Sequence, residues 1–234
     1  MELREYDLCS AIAVPSLFVE RSFIARHMNP ALLHRNALGV NVEKFKPSAL
    51  PPAAPNQAGL KAIYAGSLSV RKGIPDLLTA FQAANLPDAS LTLLGGHTSE
   101  LEDLLKRQPP CVRSLGHRPQ AELVRHYQQG HCFVIASIEE GMAMVQMQAL
   151  ACGLPLICTT NTGGEDLLRL QGSQSEGNPL DIQQFPAGFV IPIHRPDAMA
   201  RCLQRLQNEP QLWERMRKAA LELASSELSW SAYG

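Results

Sequence analysis

The sequence predicts an α/β protein: a doubly wound parallel sheet, preceded by the terminal elements of another domain. Three observations carry that reading. From residue 57 onward, short apolar β-like runs alternate with amphipathic helical stretches, the pattern of βα units joined into one sheet with helices on both faces. Glycines follow run after run, at the strand ends where such a sheet places its ligand. A chain of 234 residues, 45% of them apolar, is long enough for one full domain core with a remainder.

The predicted strands are Leu60–Ala65, Ser90–Leu94, Cys111–Leu115, Cys132–Ser137, Leu154–Thr159 and Gly188–Ile193. Between them, apolar spacing of three and four predicts helices over Pro75–Ala84, Ser99–Arg107, Gln120–Gln129, Met142–Cys152 and Glu165–Leu170. Pro75 suits a first helical turn, and Gly153 with Pro155 closes the apolar helix before it. Pro196–Ser226 reads as two helices broken at Asn208-Glu209-Pro210, with Met199, Cys202, Leu203, Leu206, Leu212 and Met216 on their sheet-facing sides. Gly172–Pro186 reads as a polar loop.

The first 56 residues do not continue this repeat. Ser10–Pro15 predicts a strand, Phe18–His27 a helix and Leu33–Leu38 a second strand, too few elements to close a core of their own. The boundaries that follow are residues 1–47 for an incomplete front domain, 48–56 for a proline-rich linker, 57–226 for the sheet domain and 227–234 for a tail.

Composition excludes several classes. A formal net charge of −1 gives no electrostatic case for nucleic acid or an anionic membrane. The six cysteines form no C-x-x-C pair, and most sit in apolar runs, so free buried thiols in a reducing compartment are expected rather than disulfides or zinc. With neither a leader pattern nor an apolar stretch of about 18 residues, the expected location is the cytoplasm.

The strand ends collect polar chemistry. After Ala65 comes Gly66-Ser-Leu-Ser-Val-Arg-Lys-Gly73; after Leu94, Gly95-Gly96; after Leu115, Gly116-His-Arg118; after Ser137, Ile138-Glu139-Glu140-Gly141; after Thr159, Thr160-Asn-Thr-Gly-Gly-Glu165. Arg71 and Lys72 ahead of a helix suit anionic oxygens, and a helix beginning near Gly141 offers N–H groups of the same preference. Two helix N-termini with a lysine fit a diphosphate. A carboxylate beside them fits sugar hydroxyls, so Glu140 is expected to face hydroxyl donors rather than phosphate. On spacing alone, Glu139-Glu140 reads equally well as an acidic pair favoured by the helix dipole.

The stretch SIEEGMAMVQMQALACGLPLI resembles the E-x7-E region of family 4 retaining glycosyltransferases, which have the two-domain GT-B fold. GSLSVRKG, VRSLGHRPQAELVRHY, TGGEDLL and GFVIPIHRPDAMA follow the order of that family, and AVPSLFVERSF…LGVNVEKFKP resembles the end of its N-terminal domain. The resemblance implies the Rossmann-like C-terminal, donor-binding half of a GT-B fold. By position it implies Glu140 on the donor sugar, Gly141, Met142, Ala143 and Met144 along sugar and phosphates, and Lys72 on the leaving diphosphate. It places His117 near the base; Gly66, Ser67, Arg71 and Gly95, at or after the strand ends, are further donor-binding candidates. It implies a UDP- or GDP-sugar donor, no cofactor and no essential metal. A glycan or lipid-linked acceptor is expected on the missing N-terminal domain, as is peripheral membrane association of the full-length protein and a place in polysaccharide assembly.

Departures from the family pattern qualify this. The second signature glutamate is Gln148, which accepts and donates neutral hydrogen bonds where a carboxylate makes charge-assisted ones; two outcomes are open, a loss of about tenfold in donor affinity or a tolerated swap where the negative charge of the pyrophosphate is close. The arginine expected after the first glycine is Ser67, with Arg71 as its nearest substitute. Since most of the front domain is absent, this chain alone is expected to bind donor weakly and transfer nothing.

Other residues carry plainer readings. Glu139 is expected to be solvated. Met142, Met144 and Met147 read as core filler. His27, His34, His97, His126, His131 and His194 lack ligand spacing and read as structural or solvent-facing. Glu165-Asp166 read as helix N-terminal capping. Gln146 and Gln148, amides in an apolar helix, require partners. Three functions stand open here: the donor domain of a glycosyltransferase, a non-catalytic partner or regulatory subunit of that architecture, and a sugar-nucleotide epimerase.

Overall fold

The structure, a computed structural model, describes residues 5–6, 8–36, 38–170, 175–178 and 180–230. Residues 1–4 and 7 of the front segment, Ala37 of its second expected strand, residues 172–174 and 179 of the expected polar loop and 231–234 of the tail lie outside these.

In the front segment, β1 (Ile12–Val14) and β2 (Leu33–Arg35) pair in parallel across α1 (Leu17–Ile24), with Ile12 opposite Leu33. Ile12, Val14 and Leu33 form a small core of their own, covered by Tyr6, Val19, Phe23 and Met28. The proline-rich connector is not wholly irregular: α2 (Pro55–Ala58) starts at a proline, which costs nothing in a first turn whose N–H groups lack intrahelical partners anyway.

The main sheet contains β3 (Lys61–Ala65), β4 (Ser90–Leu94), β5 (Val112–Ser114), β6 (Cys132–Ile135), β7 (Leu156–Thr159), β8 (Glu176–Gly177), β9 (Gln183–Phe185) and β10 (Gly188–Ile191). Their spatial order is β5-β4-β3-β6-β7-β10-β9-β8. Every pair from β5 to β10 is parallel, and β9 and β8 add an antiparallel edge. The parallel part is the doubly wound 3-2-1-4-5-6 order, and its direction reverses between β3 and β6. β6, β7 and β10 are buried along their whole length, which explains why they read as unbroken apolar runs rather than alternating ones.

The faces are covered by α3 (Ile74–Ala84), α4 (Glu102–Lys106), α5 (Gln120–Gln129), α6 (Met144–Ala151), α7 (Gly164–Leu168), α8 (Pro196–Asn208) and α9 (Pro210–Glu227). Burial of Leu77, Leu78 and Phe81 on α3 and of Met199, Cys202, Leu203 and Leu206 on α8 makes those helices pack together, while α9 lies along α6.

Several expected boundaries move for local reasons. The strand expected to reach Ser137 stops at Ile135, and Ser137 O instead accepts the Thr159 hydroxyl at 2.6 Å. The strand expected from Leu154 begins at Leu156, because Leu154 N–H closes the preceding helix on Ala149 O. The helix expected from Met142 begins at Met144: Glu140 N–H and Ala143 N–H donate to Asn161 O and Thr162 O, holding that run against the loop after β7. Ser99–Leu101 is a tight three-residue turn of helix ahead of α4.

The polar loop Gly172–Pro186 contains β8 and β9; Gln183 and Phe185 turn inward about Gln184, a two-residue period too short to read in sequence. The cysteine expectation holds for Cys132, Cys152, Cys158 and Cys202, which are buried, and is corrected for Cys9 and Cys111, which are exposed. Burial pushes the Cys152 and Cys202 thiols up to about 12, so they are inert.

Candidate functional site

At the point where the winding reverses, the loops after β3 and β6 run side by side. Gly73 permits this: its φ of 68° is left-handed, and a Cβ there would lie 1.9 Å from Ala136 O. Ile138 N–H donates to Arg71 O at 3.0 Å, and Arg71 Nη1 donates to Glu139 O at 3.1 Å. Glu100 steadies the turn by accepting from Val70 N–H at 3.0 Å. These bonds bring Lys72 Nζ onto Glu140 Oε2 as an ion pair whose side chains are 15% and 21% exposed. Burial, and then the neighbouring Arg71 guanidinium, pull the Lys72 ammonium below the ordinary lysine value.

The loop after β6 is also held by the loop after β7. Asn161 takes Glu140 N–H on its own carbonyl and donates its amide to Ile138 O, both at 2.9 Å. Gln146, fully buried on α6, donates to Thr162 O at 2.8 Å and accepts the Thr162 hydroxyl at 3.3 Å. The frame around Glu140 is therefore assembled from three strand ends. The first turn of α6 has Ala143 at its cap with no side-chain bond, leaving the positive end of the helix directed toward the Lys72–Glu140 pair's side of the sheet.

Two adjoining cavities open here. The smaller, about 190 Å³, is lined by Tyr64, Gly66, Lys72, Glu140 and Met142 to Val145. The larger, about 450 Å³, is lined by Gly66, Ser67, Gly95, Gly96, His97, Thr98, His117, Arg118 and Leu123, and shares Ala65, Gly66 and Val145 with the first. Gly95 lets the floor close up: a Cβ there would lie 1.8 Å from Gly66 O. Tyr64 underpins that floor by donating its hydroxyl to Ser67 O at 2.9 Å. A mainly apolar groove of about 480 Å³ beside Phe45 and Leu221 lies away from these strand ends.

Of the residues singled out in the sequence, Gly66, Lys72, Glu140, Met142, Ala143 and Met144 share the smaller cavity, and Gly66, Ser67, Gly95 and His117 the larger. Arg71 lines neither cavity and spends one guanidinium nitrogen on Glu139 O. Gly141 lines neither and accepts the Ser16 hydroxyl at 2.6 Å. Gln148 is 6% exposed, and its Oε1 has no hydrogen-bond partner among the described residues. It lies three residues beyond Val145 on α6, hence on the same side as that cavity residue.

Glu139 is exposed, as expected. Met147 is core, but Met144 is 40% exposed on the cavity wall, which corrects its reading as filler. Asp166 is no helix cap: Gly163 holds that position, and the Asp166 carboxylate accepts from Leu17 N–H and Arg35 instead. Sequence reasoning missed Tyr64, Glu100 and Ser16, and read Asn161 and Thr162 only as part of the polar run after Thr159. Nothing local marks the roles of Glu100, Asn161, Thr162 and Ser16, because each bonds across to a distant segment, while Tyr64 reads as an ordinary core residue of β3 and bonds Ser67 O in the loop that follows it.

Among the described residues no group of three His, Cys, Asp or Glu is placed to hold a metal ion, and no helix is long and apolar enough to cross a membrane.

A family profile, glycosyl transferases group 1, matches residues 59–209. A D-inositol 3-phosphate glycosyltransferase of Streptomyces bingchenggensis is 25% identical over 232 residues, covering 86% of this chain and 46% of the relative. A solved sucrose-phosphate synthase from Thermosynechococcus elongatus superposes with a TM-score of 0.77 at 22% identity, covering 98% of this chain and 57% of that one. The Anabaena protein HepE, solved in complex with UDP and glucose, superposes with a TM-score of 0.76 at 17% identity, covering 96% and 61%. The chain thus spans roughly half the length of the proteins it resembles.

Proposed function

The chain belongs to the group 1 glycosyl transferases, with the fold of the C-terminal half of a GT-B enzyme, and from that premise we propose that it is the donor-binding part of a retaining transferase. The donor is a UDP- or GDP-sugar carrying a hexosyl or related group; the acceptor is a glycan or lipid-linked saccharide. The observation that carries this reading is the contact of Lys72 with Glu140 at the reversal point of the sheet, beside a cavity of about 450 Å³. The HepE complex with UDP and glucose, on the same fold, supports it.

In this reading the base and ribose occupy the larger cavity near His117, with Gln148 Oε1, which has no partner among the described residues, toward the ribose. The diphosphate lies over Gly66, between Lys72 and the first turn of α6, where an ammonium and helix N–H groups meet its charge. Glu140 then accepts from hydroxyls of the sugar. In the transfer, the bond from the anomeric carbon to the diphosphate oxygen breaks as that carbon bonds the acceptor oxygen on the same face. The acceptor's proton passes to the departing phosphate. Lys72 and the α6 amides stabilise the charge that develops on that phosphate, a contribution largest where water is excluded. No essential metal takes part in this scheme. Transfer, acceptor binding, a cytoplasmic setting and peripheral membrane contact are proposed for the whole protein rather than for these 234 residues.

Gln148 specifically favours a second reading, a non-catalytic partner subunit with a weakened donor site. A thermal-shift panel of nucleotides separates the two. Stabilisation by UDP or GDP that Lys72→Ala abolishes supports the donor site; no response to any nucleotide favours the degenerate one.

A further inference from the structure

The front segment joins the sheet domain along residues 40–46, where Val40 N–H donates to Leu228 O and Phe45 enters the main core, and its α1 turn makes a separate contact with the backbone of the proposed donor loop. Ser16, 1% exposed, caps α1 by accepting from Val19 N–H at 3.3 Å, and the same hydroxyl donates to Gly141 O at 2.6 Å. The next residue, Leu17, gives its N–H to Asp166 Oδ1 at 3.0 Å. Arg35, on β2, spans Glu20 at 2.9 Å and Asp166 at 3.3 Å. A Cβ on Gly141 would lie 3.4 Å from Val19 Cγ2, so the first turn of α1 rests directly on the residue that follows Glu140.

We propose that Ser16 and Asp166 form a clasp through which the front segment sets the position of the Glu140–Met144 backbone, making both of them positioning residues for the donor site. Ser16 acts on the loop after β6, and Asp166 anchors the same helix turn to α7, behind the loop after β7. The two contacts fix α1 relative to both loops, so a shift of the front segment moves Gly141 and, with it, the carboxylate of Glu140. The hydroxyl serves two partners in opposite senses, which an alanine cannot do and a threonine can. The catalytic relevance of the clasp rests on the donor reading above; its mechanical part does not.

Hydrogen exchange followed by mass spectrometry on the full chain tests both parts, alongside calorimetric titration with UDP and GDP. In Ser16→Ala and Asp166→Ala, exchange in the peptide spanning residues 138–145 accelerates about five- to tenfold, as losing one satisfied hydrogen bond implies. The peptide spanning β3 and β4 exchanges as before, and Ser16→Thr restores wild-type exchange. Nucleotide affinity falls about fivefold in both alanine variants and recovers in the threonine variant. Unchanged exchange at 138–145, acceleration spread evenly over the chain, or failure of threonine to restore it overturns the clasp. Local exchange changes in a chain that binds no nucleotide uphold the clasp and sink the donor reading instead.

Discussion

Glu140→Gln and Lys72→Ala should move the affinity for free nucleoside diphosphate in opposite directions. In the structure the Lys72 ammonium is engaged by Glu140, and the side chains, 15% and 21% exposed, are neither solvated nor fully enclosed. A diphosphate reaching Lys72 must displace that carboxylate and lie beside its charge. Exposed ion pairs contribute about 0.2–1 kcal/mol, and this one sits toward the upper end of that range. Neutralising Glu140 therefore tightens binding of free UDP or GDP roughly two- to fivefold. Removing the ammonium deletes a charge-assisted contact of about 1.5–3 kcal/mol, a loss of roughly 10- to 150-fold. For the sugar-bearing donor the Glu140→Gln gain shrinks or reverses, because the hydroxyls lose their charged acceptor. Isothermal titration calorimetry at fixed ionic strength reads all four affinities, since salt screens the weaker terms. If Glu140→Gln weakens free diphosphate as severely as Lys72→Ala, or if Lys72→Ala has no effect, the phosphate and sugar roles assigned to the pair are wrong.

Gln148→Met should stabilise the protein and weaken its binding at once. A buried acceptor without a partner costs about 1–3 kcal/mol, so its removal raises the melting temperature by roughly 2–4 °C for each kcal/mol recovered. Nucleotide affinity falls about two- to tenfold for the lost neutral bond; calorimetry finding a destabilised chain with unchanged binding would show the amide serves the fold alone. His131 makes stability depend on pH. It is fully buried, accepts Lys61 N–H on Nδ1 at 2.9 Å and donates from Nε2 to Ala53 O at 2.9 Å, and burial lowers its pKa to about 4. The folded pKa lies below the ordinary 6.5, so the unfolded chain takes up the proton first, and stability is full above 6.5 and lost as pH falls toward 4. Urea unfolding should lose about 2–3 kcal/mol between pH 7.5 and 4.5 from this residue, and His131→Gln should remove that share of the loss.

The sheet was legible because its central strands are buried on both faces, so β6, β7 and β10 appear as apolar runs set apart by helical periods. The candidate site was legible at Lys72 and Glu140 for a topological reason: polar residues after two strands that flank the reversal point must converge, whatever their separation in sequence. What escaped was held by bonds without a local pattern. Asn161 carries Glu140 through backbone atoms, and Ser16 reaches Gly141 across 125 residues. Asp166 looked like a cap because acids near a helix start usually are, yet its partners are on the front segment. The edge hairpin β8–β9 was hidden because strands of two and three residues hold no readable period.

A crystal structure of the chain with UDP or GDP tests the central claim most directly. The account predicts the base in the cavity beside His117, the diphosphate over Gly66, and Lys72 Nζ moved from Glu140 to about 2.7–2.9 Å from a phosphate oxygen. A nucleotide seated anywhere else, or one that leaves the Lys72–Glu140 pair intact, contradicts it.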